Sequence, residues 1–172
     1  LAATGPVGEI TSSIYQSEDA NVIVTSRRQE RADSLAERLN KNSSNKVRAL
    51  KAAVPEEVGK AISNADVVMA AGSAGIQLLS LDILKNYGKH CKVVADVNAV
   101  PPVGVENLIS QGDGVEVIPG VLGIGALAIG GLKNKVEAKL IAKAMEMPKG
   151  VLDYKIGYEL AKEYVYKKIE KK

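Results

Sequence analysis

The sequence predicts a doubly wound α/β fold, a mostly parallel sheet with helices on both faces. Three observations predict it. Short apolar runs alternate with amphipathic stretches along most of the chain. Those runs are β-branched and nearly continuous rather than alternating, as strands buried on both faces of a parallel sheet are. The first of them ends in a glycine-rich turn that opens a helix.

Taken in order, LAAT, NVIVTS, KVRALKA, ADVVMAAG, KVVADVNA and VEVIP read as strands. The helix over 6–17 starts with Pro6, whose missing N–H costs nothing in a first turn. The stretch 28–40 carries Ala32, Leu35, Ala36 and Leu39 at helical spacing. The stretch 55–63 opens with a proline and two glutamates, which favour a helix N-terminus. Ser80 caps LDILKNY, and Gly88 stops it. After Pro119 the character changes. Glycines 123, 125, 130 and 131 precede a helical run, LKNKVEAKLIAKAMEM, which Pro148 and Gly150 break. Asp153 caps a last helix, YKIGYELAKEYVYKKIEKK. No internal repeat or long linker divides the chain, so residues 1–172 are expected to form one nucleotide-binding domain, with the helix at about 153–170 available to pack on a further domain.

Composition excludes several classes. Hydrophobic residues make up 46% of the 172, enough for a packed core, and the net charge of +3 implies no nucleic-acid partner. The excess charge sits largely in the tail KKIEKK, read as a solvated helix end. Cys91 and His90 are each the only residue of their type, so no disulfide, cysteine metal cluster or multi-histidine metal site is expected. His90 reads as a surface spacer. No apolar run reaches the length of a membrane span, and VIPGVLGIGALAIGGL is broken by glycines and a proline. With no visible signal peptide, the expected location is the cytoplasm.

The turn ATGPVG meets most demands of a pyrophosphate site. Such a turn bends tightly, brings backbone close to the anion and starts a helix whose N–H groups face it. Gly5 stands where a side chain would collide with phosphate, and Gly8 where helix and strand pack closely. Ala3 replaces the first glycine of the usual pattern, which is tolerable if that position avoids positive φ. Thr4 offers a hydroxyl, and Pro6 and Val7 complete the turn. Alone the pattern is weak; a strand before it and a helix after it strengthen it.

The second strand ends at Ser26, 18 residues after Gly8, where NAD sites usually carry an acid for the ribose 2′-OH. Here the chain reads Ser26-Arg27-Arg28. A hydroxyl and two guanidinium groups suit a 2′-phosphate, which an acid would repel, so the expected cofactor is NADP. An ordinary basic helix start is the competing reading. Later strand ends are small or polar. Ala71 and Gly72 let a ribose lie against the backbone, while Asp96, Val97 and Asn98 lead into a rigid Pro101-Pro102 loop on the nicotinamide side. Asp96 reads as a ligand or as a structural cap. The glycines at 123–131 read as an anion-facing helix start or as close helix packing.

Together ATGPVG, Ser-Arg-Arg, AAGSAGIQLL, VADVNAVPPVGVENL, GALAIGGLKNKVEAKLIAK and KGVLDYKIGYELAKE resemble the NADP-binding, Rossmann-type domain of methylene-tetrahydromethanopterin dehydrogenases, in order and over almost the whole chain. Ala3 departs from the family's glycine. The resemblance implies a substrate-binding α/β domain upstream of Leu1 and a pterin cleft between the two. It also implies NADP-dependent oxidoreductase activity on methylene-tetrahydropterin, either tetrahydromethanopterin or tetrahydrofolate. Hydride would leave a methylene flanked by two nitrogens that stabilise the methenyl product, so no general base is required and no catalytic residue is assigned here. A homo-oligomer is expected, with no nucleic-acid or membrane partner. The alternatives are the nucleotide half of a shikimate-dehydrogenase-like enzyme and a non-catalytic NADP-binding module.

Overall fold

The chain enters the sheet with its first three residues. In the computed structural model, which describes residues 1–41, 43–44 and 46–170, the Leu1 α-amine donates to the Met69 carbonyl and Ala71 N–H donates back to the Leu1 carbonyl at 3.0 Å. On the other side, Ala3 N–H donates to the Thr25 carbonyl at 2.9 Å. This segment is the seam between two ladders. One pairs β1 (Ile23–Ser26) with β2 (Arg48–Lys51). The other holds β3 (Val67–Ala70), β4 (Val93–Asp96), β5 (Asp113–Ile118) and β6 (Val121–Ile124), in the spatial order β3-β4-β6-β5. Across the molecule the order runs β2, β1, Leu1–Ala3, β3, β4, β6, β5. The β1–β2, β3–β4 and β4–β6 pairs are parallel, and only the β5–β6 pair is antiparallel.

The centres of β1 and β4 are dry. Val24 and Val94 are fully buried, and two apolar clusters form around them. Four helices connect the strands: α1 (Pro6–Ser17), α2 (Gln29–Asn40), α3 (Pro55–Ile62) and α4 (Leu81–Tyr87). Their inward stripes supply Leu35 and Ala36 from α2, Val58 and Ile62 from α3, and Leu84 from α4. Burying each large aliphatic contributes roughly 1.5–3 kcal/mol, which is what holds these short strands together. The chain has the α/β doubly wound architecture that its alternating pattern predicts.

One strand escaped the sequence reading. VLGI, taken there as part of a glycine-rich approach to a helix, forms β6. Gly123 lies inside it because a Cβ there would come within 2.4 Å of Leu108 and 2.6 Å of Val117. The following helix, α5 (Ala126–Glu146), starts earlier than LKNK suggests and includes Gly130 and Gly131.

The chain divides into two compact units, residues 1–126 and 127–172. The second contains most of α5 and all of α6 (Tyr154–Ile169), whose N-terminus Asp153 caps through the N–H groups of Lys155 and Ile156. The two helices meet where Gly157 faces Val136 and Leu140, and Lys139 pairs with Glu163 at 3.2 Å. Lys171 and Lys172 of the basic tail lie outside the described residues. Among the described residues no helix is long and apolar enough to cross a membrane.

Candidate functional site

The first turn is built for close approach. Gly5 is the N-cap of α1, in extended conformation with φ −87° and ψ 168°, and no side chain caps the helix. The first intrahelical bond runs from Glu9 N–H to the Gly5 carbonyl at 2.9 Å. The N–H groups of Val7 and Gly8 precede that bond, and Pro6 has none to satisfy, so the helix start offers unspent donors and its positive dipole end. Thr4 is half-buried beside them. Glu9, the acid of this first turn, is held by Arg38 at 2.8 Å, which offsets its charge near the helix start.

The two glycines of the turn differ. A Cβ on Gly8 would sit 2.5 Å from the Cα and carbonyl oxygen of Ala3, so the crossing of α1 over the first segment demands glycine there. A Cβ on Gly5 would meet nothing within 4 Å. The missing first glycine is explained as well. Left-handed φ in this segment falls on Ala2, at 54°, and not on Ala3.

At the end of β1, Ser26 is buried, its hydroxyl accepting from Arg28 N–H at 3.4 Å and its carbonyl from Ala52 N–H at 2.8 Å. Arg27 and Arg28 are exposed, and Arg28 is the N-cap of α2. Arg27, Arg28 and a second helix N-terminus therefore share one corner. Across it, the loop after β2 is tied by Glu57 of α3, which accepts from Ala53 N–H at 2.7 Å and Val54 N–H at 3.3 Å. The Ala53 bond, helped by Lys51 at 3.1 Å, holds the Glu57 carboxyl below the usual range. Sequence reasoning took Glu57 only as a helix-start acid. Its place at N3 after an extended residue was the signal that it reaches back.

Ala71 and Gly72 follow β3, half-buried; Gly72 is crowded by Leu78, whose Cδ1 would lie 2.8 Å from an added Cβ. Asp96 and Asn98 are buried, with Val97 half-buried between them. The Asp96 carboxylate accepts from Asn98 N–H at 2.9 Å, Gly104 N–H at 2.5 Å and Val105 N–H at 3.2 Å. Of its two sequence readings, structural cap and ligand, its hydrogen bonds are those of the cap.

Every predicted site residue thus lies at or just after the carboxyl end of one of four adjacent sheet segments: β1, Leu1–Ala3, β3 and β4. The glycines at 123–131 do not join them as one feature. Gly123 is in β6, and Gly125 packs on the carbonyls of Ile109 and Ser110. A cavity of about 450 Å³ opens elsewhere, between the amino ends of β1 and β3 beside Tyr15, Asn21, Asn64 and Asp66. It touches only Gly8 and Ala71 among the predicted residues. Burial there raises the Tyr15 hydroxyl. Ligands of open parallel sheets bind at the other end, so the cavity is not the candidate site.

Fold and site edge define a doubly wound α/β protein of Rossmann type. An L-alanine dehydrogenase structure shares the fold, with a TM-score of 0.54 and 18% identity, covering 82% of this chain and 42% of that one. No family model matches the chain. Two curated relatives do. The chain is 36% identical over 163 residues to the bifunctional protein MdtA of Methylorubrum extorquens. It is 33% identical over 166 residues to an NAD(P)-dependent methylenetetrahydromethanopterin dehydrogenase of the same organism. Each match covers 95% of this chain and 56% of the relative, so the chain spans about half the length of the curated relatives it matches. The resemblance to methylene-tetrahydromethanopterin dehydrogenases is borne out.

Proposed function

We propose that this chain is the NADP-binding part of an oxidoreductase that moves hydride between methylene-tetrahydropterin and NADP, giving the methenyl form. The observation that carries the reading is the pairing of an open glycine turn with Ser26, Arg27 and Arg28 on the neighbouring strand end. The residues fit the cofactor. Gly5 leaves backbone free to approach a pyrophosphate, and the N–H groups of Val7 and Gly8, with the Thr4 hydroxyl, face it while Pro6 shapes the turn. Ser26 keeps a hydroxyl proton to donate, and Arg27 and Arg28 supply forked donors to a 2′-phosphate. Ala71, Gly72, Asp96, Val97 and Asn98 line the ribose and nicotinamide side through the backbone they set.

NADP, when bound, supplies the hydride acceptor at its nicotinamide. The chain's task is then to hold that ring in place and dry, since the methylene carbon gives up hydride without a proton transfer. The name of the methylenetetrahydromethanopterin dehydrogenase relative favours this over a shikimate-dehydrogenase-like enzyme or a non-catalytic module. Whether the pterin is tetrahydromethanopterin or tetrahydrofolate is decided by turnover with each. Cytoplasmic location and homo-oligomeric assembly, without nucleic-acid or membrane partners, belong to the same reading.

The test is calorimetric. NADPH is expected to bind at least about tenfold more tightly than NADH, a difference of about 1.4 kcal/mol. Replacing Arg27 and Arg28 together by alanine is expected to erase that preference and leave NADH affinity in place. Equal or tighter NADH binding by the unaltered protein overturns the cofactor assignment.

A further inference from the structure

A buried carboxylate is costly unless its oxygens are fully used. Asp96 is 1% exposed, and it spends those oxygens on loop backbone. Its bonds to Gly104 and Val105 close the loop that leaves β4, so residues 97–103 form a loop pinned at both ends. Gly104 is bound to this arrangement, since a Cβ there would lie 2.9 Å from Oδ1 and 3.1 Å from Oδ2. Asn98 then braces the loop from inside. Its side-chain oxygen accepts from Val100 N–H at 2.9 Å, and its Nδ2 donates to the carbonyls of Val100 at 3.1 Å and Pro102 at 3.4 Å.

The restraint does not stop at one loop. The Gly104 carbonyl accepts from Leu78 N–H at 2.8 Å and Leu79 N–H at 2.9 Å, which ends the loop leaving β3. Gly75, near the middle of that loop, adopts φ 74°, and a Cβ on it would lie 3.7 Å from the Pro101 carbonyl oxygen. One carboxylate therefore fixes Gly104, and through it the ends of both loops. Between the fixed ends, Ile76 and Val100 stand 47% and 54% exposed. Apolar side chains held out to solvent on pinned loops, at the edge where open parallel sheets bind ligands, suit the face of a flat ring.

We infer that Asp96 and Asn98 are positioning residues, which preset the loops after β3 and β4 as the wall of the nicotinamide half of the cofactor site without their side chains touching the cofactor. The inference rests on the NADP reading above. Preorganising a loop raises affinity by removing the ordering cost at binding, so its loss falls on the ligand half that meets this wall.

Two ligands separate the halves. NADPH carries the nicotinamide, and its fluorescence reports on that ring. Adenosine 2′,5′-bisphosphate carries only the adenosine half. In the full-length protein, Asp96→Asn leaves one oxygen to serve three N–H groups and turns an amide donor toward another donor. NADPH affinity is expected to fall about tenfold or more, with its bound fluorescence shifted toward that of free NADPH, while bisphosphate affinity stays within about twofold. Asn98→Ala leaves the Asp96 bonds in place and is expected to give the same split, more weakly; it decides the matter if Asp96→Asn does not fold. Equal weakening of both ligands, or of neither, overturns the inference while the cofactor reading stands. Failure of the unaltered protein to bind either ligand overturns both.

Discussion

The turn after the first segment and the loop after β4 lie on the same edge of the sheet but handle their backbone N–H groups in opposite ways. In the turn, α1 begins with no side-chain cap, so its first donors are unspent. In the loop, the donors of Asn98, Gly104 and Val105 are all spent on one carboxylate. Unspent donors at a helix start are what an anion needs. A loop with spent donors cannot bind an anion that way, but it can be held still. The edge thus divides into a part with backbone donors to offer and a part whose backbone donors are already used to fix its shape.

The largest expected effect falls on the packing that makes the turn possible. Gly8→Ala drives a Cβ to 2.5 Å from Ala3 backbone atoms, which cannot swing aside as a side chain can. Overpacking of this kind costs about 3 kcal/mol or more, and a melting temperature lower by roughly 10 °C is expected for a chain of this size. A melt within a degree of the unaltered protein would show that α1 does not cross the first segment this closely.

Gly5→Ala sharpens the contrast. The chain itself makes no demand for glycine there, since φ is ordinary and nothing lies within 4 Å of an added Cβ. Stability is expected to change by less than about 1 kcal/mol, the usual scale of an N-cap change. NADPH affinity is expected to fall about tenfold or more, because the methyl group would occupy the space of the phosphate. Unchanged affinity in a calorimetric titration would remove the pyrophosphate from this turn.

The fold was legible where burial wrote itself into composition. Runs such as KVVA and VIVTS are β-branched because both faces are covered, and such runs are hard to misread. VLGI was missed because its glycine answers to Val117 on the paired strand and to Leu108 beyond it, contacts that only the strand pairing reveals. At the candidate site, ATGPVG was legible as a strand-to-helix turn because Pro6 suits a first helical turn and no side chain fits at Gly8. The role of Asp96 was only half legible. Two of its three partners are backbone N–H groups eight and nine residues on, and backbone donors carry no sequence signature. Only the fold shows that the carboxylate is consumed.

The loop after β2 offers the smallest and sharpest test, because Glu57 repeats the Asp96 arrangement at an exposed place. It too ties two loop N–H groups, at Ala53 and Val54, but water reaches it and Lys51 pairs with it. A carboxylate that remains solvated has little desolvation to overcome and contributes little to stability. Glu57→Gln is therefore expected to lower the melting temperature only slightly at pH 7. The sign of the pH effect follows from its lowered pKa. The unfolded carboxyl titrates near 4.5 and the folded one below it, so the unfolded chain binds the proton more readily. The stabilisation is present above about pH 5 and disappears as pH falls through the lowered value. Melts of the two proteins across this range should converge at the acid end. A gap that persists once the carboxyl is protonated at the acid end would mean that the glutamate acts through its shape and not its charge, and the likeness to Asp96 would then lie in geometry alone.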